Sequence, residues 1–100
     1  MDFKLILLSR ARNEIEDALD WYENRQEGLG EKLLLEVEDE LQRIMNNPML
    51  FPVSHVAKTH YRKAVLPKFP YVIIFSVSTD TIFVHSIFHT HLNPNKKPSA

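Results

Sequence analysis

The side chains best suited to chemistry crowd the second half of the chain: Arg62, Lys63 and Lys68, then His85, His89 and His91. Imidazole exchanges protons near neutral pH, so a histidine can act as general acid or base, and cationic heads can hold carboxylates or phosphates. Side chains alternate along a strand, so His85, His89 and His91 share one face if a single strand carries all three. They fit a metal centre poorly, because four residues of strand separate Cα atoms by roughly 13 Å. Only His89 and His91 could then act together, with no clear acidic third ligand; neither metal nor cofactor is expected. Cysteine is absent, which removes thiolate nucleophiles, disulfide frameworks and zinc ribbons and is compatible with a reducing cytosol. Taken alone, His89 fits a hydrogen-bonded residue closing a sheet as well as it fits a functional one. Trp21 and Tyr22 fit packing at a helix–sheet junction better than base stacking.

Charge divides the chain. Residues 1–50 hold six Lys/Arg against twelve Asp/Glu, a net of −6, whereas residues 51–100 hold six against Asp80 alone, a net of +5. The basic half offers a side for anionic partners, or it compensates the acidic half internally. With 44% hydrophobic and 25% charged residues in a chain of 100, the composition suits one soluble globular core. Residues 1–94 are read as a single domain and 95–100 as a polar tail. The longest apolar run, Leu5 to Leu8, is far below the ~20 residues of a membrane span.

The elements that must position these residues follow from periodicity. Phe3 to Leu8 predicts a short strand buried on both faces. Ala11, Ile15, Ala18, Leu19 and Tyr22 mark a helix, with Ser9 as its expected N-cap. After Gly28-Leu29-Gly30, a second stripe of Leu33, Leu34, Val37, Leu41, Ile44 and Met45 runs to Asn46-Asn47-Pro48, where proline halts it. Ile15, Leu19, Tyr22, Leu34, Val37, Leu41 and Ile44 are the expected helical side of the core. Three strands are expected at His60–Leu66, Tyr71–Val77 and Thr81–Phe88, the last two joined as a hairpin through Ser78-Thr79-Asp80. The fold class is α+β in the order βααβββ, a helix hairpin packed on an antiparallel-dominated sheet.

Both side-chain parities of the last two strands are apolar, with Val72 and Ile74 on one and Tyr71, Ile73, Phe75 and Val77 on the other. A helix hairpin covers one face only, and a face open to water should be polar. A partner protein, self-association or a strongly curled sheet would cover the other, and Tyr71, Ile73, Phe75 and Phe83 exceed what two helices are expected to bury.

Several segments carry a resemblance in their joint order and spacing. They are Ala18-Leu19-Asp20-Trp21-Tyr22-Glu23, Gly28-Leu29-Gly30-Glu31, Ile44-Met45-Asn46-Asn47-Pro48, Phe51-Pro52, Arg62 ahead of Phe69-Pro70-Tyr71, and Phe88-His89. Together they resemble the RelE/ParE toxin superfamily of type II toxin–antitoxin systems, nearer its ParE-like plasmid-stabilisation branch. The resemblance implies a small cytoplasmic, prokaryotic toxin that arrests growth and is neutralised by a cognate antitoxin wrapped around it. Its implied target is DNA gyrase, bound without catalysis. A decayed member that keeps only antitoxin binding is the further alternative, and a homodimer or hetero-oligomer with the antitoxin is compatible with either.

The RelE branch instead implies a metal-independent endonuclease that cuts mRNA on the ribosome. Arg62 matches a basic position of those nucleases, but Ala64, Val72 and Thr90 stand where further basic residues are expected, and no tyrosine follows Tyr71. An isoelectric point near 6.5 is low for a protein gripping a polyanion. Arg62 and His89 are therefore the candidates for catalysis, and Arg62, Lys63, Lys68, Tyr71, His89 and His91 the candidates for target or antitoxin contact.

Overall fold

The computed structural model describes residues 2–54 and 60–90, so His91 and the polar tail lie outside the described residues. Strand β1 (Lys4–Leu7) leads into helix α1 (Ser9–Arg25) and, after a short turn, helix α2 (Leu29–Asn46). A 3-10 turn at Pro48–Leu50 then precedes β2 (Val53–Ser54), β3 (Tyr61–Val65), β4 (Tyr71–Ser78) and β5 (Thr81–His89). This is the α+β order expected, with one addition, since the two-residue β2 is too short to show a period. The sheet order is β1-β5-β4-β3-β2; β1 runs parallel to β5 and every other pair is antiparallel.

Helix α1 turns Ala11, Ile15 and Ala18 inward, a stripe one turn apart at each step. Ser9 does not cap it. Leu8, between the end of β1 at Leu7 and the first helical residue Ser9, is still extended and donates its N–H to the Val84 carbonyl, so Leu8 takes the cap position without a side-chain bond. Between the helices Gly28 adopts φ +88°, a region costly for residues with a Cβ. The Glu23 carboxylate accepts from the N–H groups of Gly28 (2.9 Å) and Gly30 (3.0 Å), satisfying amides that a helix start leaves unpaired. Gly30 is also where the helices touch, because a Cβ there would lie 2.8 Å from the Leu19 carbonyl oxygen.

Helix α2 buries Leu33, Val37 and Ile44. Leu34, an expected core residue, is 37% exposed, because the buried line of α2 runs through Leu33, Val37 and Ile44 and leaves Leu34 at its margin. Leu19, Tyr22 and Leu41 pack partly buried against the core as expected.

The helices cover the sheet face formed by Leu5, Leu7, Ala64, Tyr71, Ile73, Phe75, Ile82, Val84 and Ile87. Tyr71, Ile73 and Phe75 are buried there, whereas Phe83 lies half-buried on the opposite face, so the two helices cover three of the four residues and not all of them. Strand β1 is not buried on both faces: it is an edge strand with one face under the helices, and Ile6 on the other is 44% exposed. The β4–β5 register shifts by one residue at Ile74/Phe75, a β-bulge that leaves His85 as the extra residue of β5.

Candidate functional site

The bulge decides which histidines can work together. One extra residue reverses which face the following side chains occupy. Upstream of it, Ser76 pairs with Phe83 on the face away from the helices, and the Ser76 Oγ lies 2.7 Å from His85 Nε2. Tyr61, across from Ser76 in the β3–β4 register, holds the same imidazole with ring centroids 4.8 Å apart. Downstream, His89 pairs with Tyr71, a member of the core, and their rings meet edge-on at 5.2 Å. His85 and His89 thus lie on opposite faces, and the shared face expected of the histidines is not formed. Burial holds the His85 imidazole below its ordinary value of 6.5, favouring the neutral ring.

The basic residues also separate. Arg62 pairs with Phe75 on the helix-covered side and is half-buried; its Nη1 donates to the Phe51 carbonyl at 2.6 Å, which ties β3 to the segment after α2. Lys63 points the opposite way, exposed on the open face beside Ile74. Lys68 is exposed in the β3–β4 connection, where its backbone N–H and that of Phe69 both donate to Glu36 Oε1 at 2.9 Å. Tyr71 is buried against Tyr22, and burial first, then the Tyr22 phenol, pushes its hydroxyl up to about 12. Such a phenol is a poor proton donor near neutral pH. Tyr22 packs at the helix–sheet junction against Phe69 at 5.2 Å, as expected, whereas Trp21 is 51% exposed with the Arg25 guanidinium 4.3 Å over its ring. No group of three metal-ligating side chains occurs among the described residues.

The face away from the helices carries, by register, Ile6, Tyr61, Lys63, Val65, Val72, Ile74, Ser76 and Phe83. No carboxylate stands at these positions, while ten of the thirteen acidic side chains lie in α1 and α2. The acidic half is thus concentrated on the helical layer, whereas the basic half does not gather on the opposite face: among these positions Lys63 alone is charged, and Arg62 lies on the helix-covered side. A helix long and apolar enough to cross a membrane does not occur among the described residues.

A chain of the solved chromosomal ParDE TA system from P. aeruginosa superposes with a TM-score of 0.75 at 13% identity, covering 89% of this chain and 97% of that one. The chain shares the α+β fold of that ParDE-system chain. No family model matches it, and no curated protein matches it by sequence. Within the shared fold, the resemblance segments have physical roles. Glu23 and the Gly28–Gly30 pair build the helix turn, Pro48 ends up buried after α2, and Phe69 and Tyr71 pack on Tyr22.

Sequence reasoning missed the contribution of Ser76 and Tyr61, and the anchoring carboxylates of Glu14, Glu23 and Glu36. Glu14 Oε1 accepts from Ser86 Oγ (2.7 Å) and from the Ile87 N–H (3.0 Å), satisfying the β5 edge beyond the end of β1. No local pattern marks these carboxylates, whose partners lie 5 to 73 residues away. Ser76 had a signal: it is a polar residue interrupting the apolar run of β4.

Proposed function

We propose that the chain is the toxin component of a type II toxin–antitoxin pair, arresting growth by binding a cellular target and neutralised by a cognate antitoxin. The observation that carries this reading is the fold shared over 89% of the chain with a member of a ParDE TA system. The sheet face away from the helices supports it, since among the described residues Val65 at 56% and Ile6 at 44% exposure offer area for a covering protein segment. DNA gyrase is the target suggested by the ParE-like resemblance, and plasmid stabilisation in the cytoplasm is the setting it suggests. Arg62 is bonded to the backbone and Tyr71 is buried with a raised pKa. Neither is presented to a phosphodiester, which supports binding over cleavage.

A second reading, ribosome-dependent cleavage of mRNA, is favoured by one observation: a neutral imidazole, a phenol ring and the Lys63 ammonium occupy the open face. Inducing the protein alone in bacteria separates the two. Altered plasmid supercoiling and double-strand breaks, reversed by the antitoxin encoded beside it, are expected. Site-specific mRNA cleavage with normal supercoiling would transfer the assignment to the nuclease reading, and unimpeded growth would remove both.

A further inference from the structure

On the open face the bulge after Val84 brings a serine hydroxyl and an imidazole into a nucleophile–base pair. Ser76 Oγ and His85 Nε2 are 2.7 Å apart, within the range over which a general base can take a hydroxyl proton. The Tyr61 ring, 4.8 Å away and tilted by 59°, fixes the imidazole from one side. Both dyad residues remain partly accessible, and among the described residues no helix lies over this face. Lys63 stands on the same face one pleat further along, beside Ile74. We propose that Ser76 is an activated nucleophile, with His85 its general base, and that it accepts an acyl group from an activated ester.

The step balances as follows for p-nitrophenyl acetate. Ser76 Oγ attacks the acetyl carbonyl, an Oγ–C bond forms, and the hydroxyl proton passes to His85 Nε2. The tetrahedral adduct then collapses, the bond from carbon to the aryl oxygen breaks, p-nitrophenolate leaves, and the imidazolium releases its proton to solvent. This requires the tautomer with Nδ1–H, in which Nε2 is the acceptor. No carboxylate pairs with His85 among the described residues, so the orienting third member of a triad is missing. Release of the acyl group by water is accordingly slow, and acetyl-Ser76 accumulates as a stable product.

Ser78 supplies an internal reference, being an exposed serine on the same strand and the same parity with no histidine bonded to it among the described residues. The full-length protein is treated with p-nitrophenyl acetate and the acetylated sites are quantified by peptide mass spectrometry, with lysine products counted separately. Ser76 is expected to acetylate more than about tenfold faster than Ser78, a threshold set below the roughly 10²–10⁴-fold that a positioned base typically supplies. That rate should rise with pH with a midpoint below 6.5, the ordinary value for the imidazole. His85→Gln, checked for folding by circular dichroism, should bring Ser76 down to the Ser78 rate. A Ser76 rate within tenfold of Ser78 overturns the proposal, as does a rate that folded His85→Gln leaves unchanged. If that variant does not fold, the ratio and the pH profile of the unmodified chain decide.

Discussion

The two faces of the sheet are built from the same kinds of residue and have opposite fates. Under the helices, Ile73, Phe75, Ile82 and Val84 are fully buried. One position away along the same strands, Val72 is buried but Ile74 and Phe83 are only half-buried, and Val65 on β3 is 56% exposed. Side-chain type alone does not account for this difference; the layer lying over each face does. The covered face is a packed interior, where volume and shape set the energetics. The open face combines apolar area with a hydrogen-bonded polar centre, the composition suited to meeting another molecule.

The largest test of this contrast pairs Phe75 with Val65. Phe75 is fully buried and meets Phe51 edge-on at 5.7 Å, so Phe75→Ala should cost about 3–5 kcal/mol in urea unfolding. Val65→Ala should stay within about 0.5 kcal/mol. Similar losses at the two positions would mean that the open face is covered within the chain itself.

A smaller effect is expected on the helical layer. Gly30→Ala places a Cβ against the rigid Leu19 carbonyl, and forcing the helices apart should cost about 1–3 kcal/mol. Thermal melting measures the loss, and a variant as stable as the parent would show that the hairpin can open there freely.

Smaller again is the carboxylate that ties the β3–β4 connection to α2. Glu36→Leu removes the acceptor of the Lys68 and Phe69 N–H groups, two partly accessible bonds worth about 1 kcal/mol together after exchange with water. Faster hydrogen exchange confined to Lys68 and Phe69 is the expected signature, and unchanged exchange would show that the tie is not held in solution.

The smallest effect is a slope with pH. The folded protein holds the His85 pKa below the ordinary 6.5 through burial, so the unfolded chain binds the proton more readily. Stability from this residue is complete above 6.5 and declines as the pH falls through 6.5 toward the folded value. His85→Gln should flatten that part of the stability curve. A slope identical to the parent's would assign the pH response to other groups.

The amino-acid sequence by itself determined the element types and their order. The 3.6-residue stripe of Ala11, Ile15 and Ala18, the stop at Asn47-Pro48, and the Val/Ile/Phe runs of β4 and β5 are local signals, and each became the element it indicates. What tertiary structure decided is which face each element shows. The docking of α2 put Leu33 inside and left Leu34 at the margin, because both sit within a broad apolar stripe and only contact with the sheet distinguishes them. A one-residue bulge separated His85 from His89, because the register is set by pairing with β4 and not by the local pattern of β5. Arg62 became a strut to the Phe51 carbonyl because β3 pairs with β4 in the register that turns its side chain under the helices. Local sequence sets periodicity, whereas facing depends on long-range packing and pairing, and the chemistry of the site depends on facing.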